Sequence, residues 1–160
     1  MNRKINILTL ADGGTFAAPF EEDYALLLVI SPDSNANGRR DQIASDIARS
    51  SCQYALTFGR ECEEWHDAID WACLDEGMPE GRFLMTTWHD DEPIEDVIDF
   101  LWWNTTYDDF SAERLAIIQL GPDLTFKKAI RERMDFHYKL QAEQDGGGQP
   151  AARSKSKWLR

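Results

Sequence analysis

The residues best suited to chemistry lie where predicted strands end. His89, Asp90 and Asp91 follow one β-prone run, and Asp33 follows another. Ligands of open parallel sheets bind beyond the carboxyl ends of the strands, so these side chains could meet at one site. Carboxylates and an imidazole could hold a hard divalent ion such as Mg²⁺ and activate water for hydrolysis. On this hypothesis the catalytic residues are His89, Asp91 and Asp33, and the metal ligands are Asp33, Asp90 and Asp91.

Helix capping gives the same residues an explanation that involves no chemistry. Asp and Ser are favoured at helix N-termini because their side chains accept hydrogen bonds from free backbone N–H groups. Asp33 and Asp91 both precede predicted helices. The sequence has no Gly-rich phosphate loop of standard spacing and no Gly-x-Ser-x-Gly elbow. A small metal-dependent hydrolase, or a receptor for a nucleotide-type ligand, is therefore the alternative hypothesis for this chain.

Any such site depends on strands and helices that alternate along the chain. A run at residues 5–10 could form a short edge strand, and the clearer predicted strands cover 24–30, 53–58, 82–88 and 115–120. Helical patterns cover residues 39–51, 61–76 and 93–107, and a last helix follows. This alternation favours a parallel sheet with right-handed crossovers. We predict an α/β fold with a single three-layer doubly wound domain, a mostly parallel sheet of four or five strands, and helices on both faces.

The composition changes after about residue 142. Residues 145–152 are rich in glycine, which is typical of a flexible linker. The last eight residues carry four bases. We therefore expect an acidic α/β domain over residues 1–142, and a flexible Gly-rich linker with a basic tail over 143–160.

The overall charge is strongly negative. The formal net charge is -12, from 17 Lys and Arg against 29 Asp and Glu. Such a body repels phosphates, so we expect no direct nucleic-acid binding by the domain. The three cysteines are scattered without a CxxC pair, which favours reduced thiols in a cytoplasm. No apolar run approaches a membrane span, so we expect a cytoplasmic protein without membrane contact.

The negative charge is concentrated in one stretch. Residues 61–113 contain seventeen Asp and Glu and a single base, Arg82. Charge of one sign destabilises a fold through self-repulsion, and it also accelerates association with an oppositely charged partner. The stretch therefore forms either a solvated surface or a surface that binds a basic protein.

The helix predicted at residues 93–107 has a second apolar side. Phe100, Trp103 and Tyr107 follow one another at helical spacing, off the stripe that should pack on the sheet. Glu95, Asp96 and Asp99 surround these aromatic residues, and Trp71 likewise lies off the apolar stripe of its own helix, 61–76. Either a neighbouring element, such as the N-terminal segment or the last helix, covers these rings, or they form an exposed aromatic patch among acids.

Residues 86–93 read Thr-Thr-Trp-His-Asp-Asp-Glu-Pro, and the helix that follows carries Phe100, Trp102 and Asn104. This stretch is similar to an uncharacterised family of small bacterial α/β proteins, over about residues 24–120. The resemblance implies a bacterial or phage origin. It implies no activity and no catalytic residues.

The leading hypothesis is a non-enzymatic protein-binding or inhibitor protein, of the immunity type or the phage anti-defence type. It would bind a basic protein partner and would need no cofactor. Aromatic anchors and acidic steering residues form its predicted binding surface: Phe100, Trp103, Tyr107, Trp71, Glu95, Asp96 and Asp99. A homodimer built on the aromatic side of the third helix is a further possibility.

Overall fold

A five-stranded parallel sheet forms the centre of the molecule, which a computed structural model describes over residues 2–76, 78, 82–107, 109–122 and 125–146. A short 3-10 turn, Ala36–Arg39, precedes the first α-helix. In chain order the elements are β1 (Lys4–Leu10), β2 (Tyr24–Ile30), α1 (Arg40–Arg49), β3 (Cys52–Gly59), α2 (Cys62–Glu76), β4 (Met85–His89), α3 (Ile94–Trp103), β5 (Thr106–Tyr107), β6 (Phe110–Ser111), β7 (Arg114–Leu120) and α4 (Lys127–Asp145).

The order of the strands across the sheet is β1-β7-β2-β3-β4, and all neighbouring pairs are parallel. The chain moves from β2 outward to β3 and β4, and α3 then returns it to β7 on the other side of β2. The predicted doubly wound α/β fold is therefore confirmed. The small antiparallel hairpin of β5 and β6 was not predicted.

Helices cover both faces of the sheet and give two separate cores. Leu26, Leu28 and Ile30 of β2 pack with the apolar stripes of α1 and α2. Leu27 and Val29, on the opposite face of the same strand, pack with the stripes of α3 and α4. Because both faces of β2 are buried, the strand is apolar throughout, as expected for the centre of a parallel sheet.

Within the described residues, no helix is both long enough and apolar enough to cross a lipid bilayer.

Three element boundaries differ from the prediction. Helix α3 ends at Trp103, so Tyr107 lies on strand β5 and not on the helix. The β-branched residues that follow favour extended backbone, and the Thr105 hydroxyl caps the helix end by donating to the Leu101 carbonyl at 2.8 Å. Strand β4 begins at Met85, three residues after the predicted start. Helix α4 continues to Asp145, past the predicted domain boundary at 142, and the predicted basic tail lies outside the described residues.

Candidate functional site

His89 is buried at the end of β4, and both of its ring nitrogens have hydrogen-bond partners. Its Nδ1 donates to Glu92 Oε2 at 2.6 Å, since an ionised carboxylate can only accept. The other nitrogen, Nε2, lies 3.0 Å from the Thr87 hydroxyl, and the ring contacts Phe100 edge to face at 4.9 Å. Burial lowers the pKa of His89, although the bond to Glu92 opposes this shift. The imidazole therefore joins the acidic turn to β4 and packs under α3.

The structure does not bring the predicted metal ligands together. Asp33 follows β2 and Asp91 follows β4, but β3 lies between these two strands. Strands two positions apart in a sheet are separated by roughly 10 Å, so Asp33 and Asp91 do not follow neighbouring strands. Asp33, Asp90 and Asp91 are all exposed. Among the described residues, no group of three or more His, Cys, Asp and Glu side chains could hold a metal ion.

Close contacts fill the carboxyl edge of the sheet near β2 and β7. Gln119 on β7 donates from Nε2 to the Ser31 hydroxyl at 3.2 Å, and both residues are buried. Gly121 has a φ of +101°, and a Cβ at this position would lie 3.0 Å from Ser34 Cα. The backbone of the loop after β2 therefore packs directly on the loop after β7. Little room remains at the switch point where doubly wound folds bind ligands.

The aromatic residues predicted as anchors on α3 are half-buried by contacts within the chain. Phe100 packs against the ring of Tyr54 at 6.1 Å. Trp103 contacts His137 of α4 at 5.8 Å, and the guanidinium of Arg3 lies 5.9 Å from its ring. The N-terminal segment and the last helix thus cover Trp103, which was one of the two predicted alternatives.

Tyr107 is also held by the chain itself. Its hydroxyl donates to the carbonyl of Phe83 at 2.6 Å, and its ring packs against the ring of Phe110 at 5.6 Å. These contacts fix the β5–β6 hairpin against the segment before β4. Together with Phe100 and Trp103, Tyr107 supports the fold and presents only part of its surface to solvent.

Asp99, predicted as a steering residue, is paired with two side chains of α4. Arg133 makes a bidentate contact, with Nε 2.7 Å from Asp99 Oδ1, and His137 Nε2 donates to the same oxygen at 2.7 Å. Burial alone would raise the pKa of Asp99, but the hydrogen bonds from His137 and Arg133 outweigh it and lower the pKa. The charge of Asp99 is therefore neutralised internally. Glu95 is exposed and Asp96 is half-buried on the first turn of α3.

Three large exposed apolar side chains lie on α2 and β4, two elements that contact each other through Thr86 and Asp70. Trp71 is 66% exposed, Leu74 is 72% exposed and Trp88 is 47% exposed. On α2 these side chains lie beside Asp67 and Asp70, which are also exposed. Helix α2 carries six carboxylates and no Lys or Arg. We call the surface formed by Asp67, Asp70, Trp71, Leu74 and Trp88 the α2–β4 face.

A network of polar contacts joins the two elements of the α2–β4 face. The Thr86 hydroxyl on β4 donates to Asp70 Oδ1 at 2.5 Å and lies 3.1 Å from His66 Nε2. The His66 ring in turn packs against the ring of Trp88, and its Nδ1 lies 3.0 Å from Asp67 Oδ1. The acids and the aromatic ring are thus held at fixed positions on the outer side of the sheet edge.

Sequence reasoning identified Trp71 but missed Leu74 and Trp88. Leu74 could have been found, because it lies off the apolar stripe of α2 just as Trp71 does. Trp88 ends the strand predicted at residues 82–88, for which the sequence indicates no exposed side. It is exposed because β4 is at the edge of the sheet, and no pattern in the sequence reveals the order of the strands.

Comparisons with known proteins place the chain in a family without assigning it an activity. No curated protein matches the chain, and no solved structure matches it. A family model described as a domain of unknown function, DUF7684, matches residues 5–133, which include the acidic stretch and all of the sheet except Lys4, the first residue of β1. The chain therefore belongs to this family, the DUF7684 domain of unknown function.

Proposed function

We propose that this protein is a non-enzymatic binding protein that uses the α2–β4 face to occupy a basic surface of a protein partner. The observation that carries the proposal is the exposure of Trp71 and Leu74 beside carboxylates on α2, a helix without a single Lys or Arg, together with the exposure of Trp88 on the adjoining strand β4. Scattered exposed apolar residues are normal, but a cluster of large ones surrounded by charges is typical of an interaction site.

The aromatic side chains would supply most of the binding energy. Tryptophan is enriched among interface hot spots, where its truncation costs about 2 kcal/mol or more. Lys and Arg side chains also stack on indole rings, which favours a basic partner for Trp71 and Trp88. The contact of Trp88 with His66 holds the ring in place before binding. Less entropy is then lost on association.

The carboxylates would increase the rate of association with a basic partner and select against nucleic acid. Asp67 and Asp70 adjoin the aromatic residues, and Glu95 and Asp96 on α3 belong to the same acidic stretch of residues 61–113. Negative surface potential attracts a positive partner from a distance and repels nucleic acid. In this proposal Asp99, Phe100, Trp103 and Tyr107 act as supports, since they are engaged within the chain.

An inhibitor role fits this surface. Carboxylates on a rigid helix can occupy the positions where a nuclease or a DNA-binding defence protein would bind phosphates. The biological role we propose is therefore that of an immunity protein against a nuclease-type toxin, or of a phage anti-defence protein. All three cysteines are free thiols, which is consistent with the reducing cytoplasm we propose as its location.

The test is a pull-down from bacterial lysate at low salt, washed with rising salt, and a comparison of three forms of the full chain. The wild type should retain a basic protein that salt releases, and the Trp71→Ala, Trp88→Ala variant should lose it. Phe136→Ala is the matched control, because Phe136 is 44% exposed on α4, away from the α2–β4 face. Retention of the same protein by the double variant would refute the proposal.

A further inference from the structure

The opposite edge of the sheet has a different character from the α2–β4 face. Strand β1 is the outermost strand there, and it pairs in parallel with β7 from Lys4 to Leu10. Its exposed side chains include Ile7 at 45% and Leu8 at 43%. Between Lys4 and Leu10 the strand carries no charge at all. Edge strands of this kind bind other strands unless charges, prolines or a covering element protect them.

The outward hydrogen-bonding groups of β1 can be assigned from its ends. The Lys4 N–H donates to the Glu113 carbonyl, and the Leu10 carbonyl accepts from the Gly121 N–H, so both residues face β7. Facing alternates along a strand, which directs the backbone groups of Ile5, Ile7 and Thr9 away from the sheet. No described strand borders β1 on that side. Three N–H and three C=O groups are therefore positioned to pair with an added strand.

A groove follows this edge, between β1 and the first turns of α4. It has a volume of about 230 Å³, and its apolar floor includes Ile7, Ile117 and Ile130. Lys127 and Arg131 line its outer side, and a larger depression of about 470 Å³ continues past the same two bases. Within the described residues, Lys127 and Arg131 form no salt bridge. The groove is thus apolar inside and basic at its rim, on a protein whose net charge is -12.

We propose that the β1–α4 groove binds an extended acidic segment of a partner protein, which adds to the sheet as a sixth strand beside β1. Its backbone would pair with the outward groups of Ile5, Ile7 and Thr9. Alternate side chains of an added strand point to opposite faces, so its carboxylates would lie on the α4 face and reach Lys127 and Arg131. Its apolar side chains would lie on the other face of the sheet, where Leu8 of β1 is exposed.

Charge favours this occupant over a second copy of the chain. If β1 of two copies paired, two basic rims and two acidic bodies would approach each other, and like charges oppose association. An acidic segment instead pairs with Lys127 and Arg131, and the N-terminus of α4 adds positive potential at the same place. This inference is independent of the α2–β4 face, which lies at the far edge of the sheet.

The test uses three fluorescent peptides about ten residues long, the length of an ordinary strand. The first peptide alternates valine with glutamate, and the second alternates valine with lysine. The third contains the same residues as the first, but with all valines in one half and all glutamates in the other. Fluorescence anisotropy with the full chain should show binding of the alternating acidic peptide and much weaker binding of the other two. Failure of the acidic peptide to bind at about 1 mM, where weak interactions are still detected, would overturn the proposal.

Lys127 and Arg131 are exposed, so substitutions at these positions test the basic rim of the groove while the fold is retained. Lys127→Glu with Arg131→Glu should weaken binding of the acidic peptide by about tenfold, since two favourable contacts become repulsive. Lys139→Glu is the matched control, because Lys139 is exposed further along α4 and does not line the groove. Equal weakening by both variants would show a non-specific charge effect and would contradict the site.

Hydrogen exchange locates the added strand directly. In the complex the amides of Ile5, Ile7 and Thr9 should exchange more slowly, while the amides of β4 should not change. Protection that appears without peptide and grows with protein concentration would instead identify a second copy as the occupant, and the proposal of an acidic segment would then be wrong.

Discussion

The ring of His66 on α2 lies 4.7 Å from the ring of Trp88 on β4, centroid to centroid, at an interplanar angle of 62°. This contact holds an indole on the outer edge of the sheet while 47% of the residue stays exposed. The Thr86 hydroxyl binds Asp70 and adjoins His66 in the same place. A rigid aromatic ring is therefore set among carboxylates, which is the relationship on which the proposed function rests.

The contact of Asp99 on α3 with Arg133 and His137 on α4 predicts that two substitutions in this cluster destabilise the fold by different amounts. Asp99→Ala removes the acceptor of His137, whose other ring nitrogen is buried without a partner. Leaving a buried polar group unpaired costs about 2–3 kcal/mol, so the free energy of unfolding in urea should fall by that amount. Arg133→Met keeps the His137 bond and should cost about 1 kcal/mol or less. Equal losses for the two variants would contradict the account of this cluster.

The buried His89 predicts a pH dependence of stability. Burial lowers its pKa in the folded protein, so the unfolded chain binds the proton more readily. Stability should therefore fall as the pH drops below the ordinary histidine pKa of about 6.5. In His89→Gln, urea unfolding midpoints measured from neutral to mildly acidic pH should change less than in the wild type. An unchanged pH dependence in this variant would show that His89 contributes nothing to it.

The backbone of Gly59, at the end of β3, lies so close to the backbone of Ile30 that we expect no larger residue to be tolerated at position 59. Gly59 has a φ of +101°, and a Cβ there would lie 2.2 Å from the Ile30 carbonyl oxygen. Gly59→Ala should therefore destabilise the fold by at least about 2 kcal/mol in thermal or urea unfolding. Gly38→Ala is the control, because a Cβ at Gly38 meets nothing within 4 Å. Similar stability of the two variants would contradict the packing described for this edge.

Separation of Asp33 and Asp91 by strand β3 predicts a weak response to divalent metal. A ligand that binds the native state raises the melting temperature by mass action. Because we expect no bound ion here, adding about 5 mM MgCl₂ should change the melting temperature by less than about 1 °C. A larger shift that Asp33→Asn and Asp91→Asn both abolish would restore the hydrolase hypothesis, with these residues as its ligands.

The sequence predicted the fold because each central strand has a local signature. Tyr24–Ile30 is apolar on both faces, and it is the central strand β2. The positions of the edge strands were not readable in the same way. Trp88 and Leu56 differ little as apolar residues, yet Trp88 lies on the edge strand β4 and Leu56 lies on the interior strand β3. The order of strands depends on how helices pack across the sheet, which no short segment encodes.

In the candidate site, too, features with a local sequence signature could be predicted, and features that depend on contacts between distant segments could not. Trp71 was predicted to lie off its apolar stripe, and the structure exposes it. Asp99 was predicted to steer partners, but Arg133, 34 residues later, neutralises it. Such pairing between distant positions follows from the antiparallel or crossing arrangement of helices and leaves no local trace. The composition of residues 61–113 gave the acidic character correctly, whereas the exposed part of it required the structure.

The most direct test of the central claim is the association rate with the captured partner, measured by stopped-flow fluorescence from about 50 mM to about 500 mM salt. We expect the rate to fall steeply for the wild type and for Phe136→Ala. For a variant with Asp67→Asn and Asp70→Asn, which removes both carboxylates of the α2–β4 face, the rate should be lower at low salt and depend less on salt. A wild-type rate that does not change with salt would contradict an acidic surface that steers a basic partner.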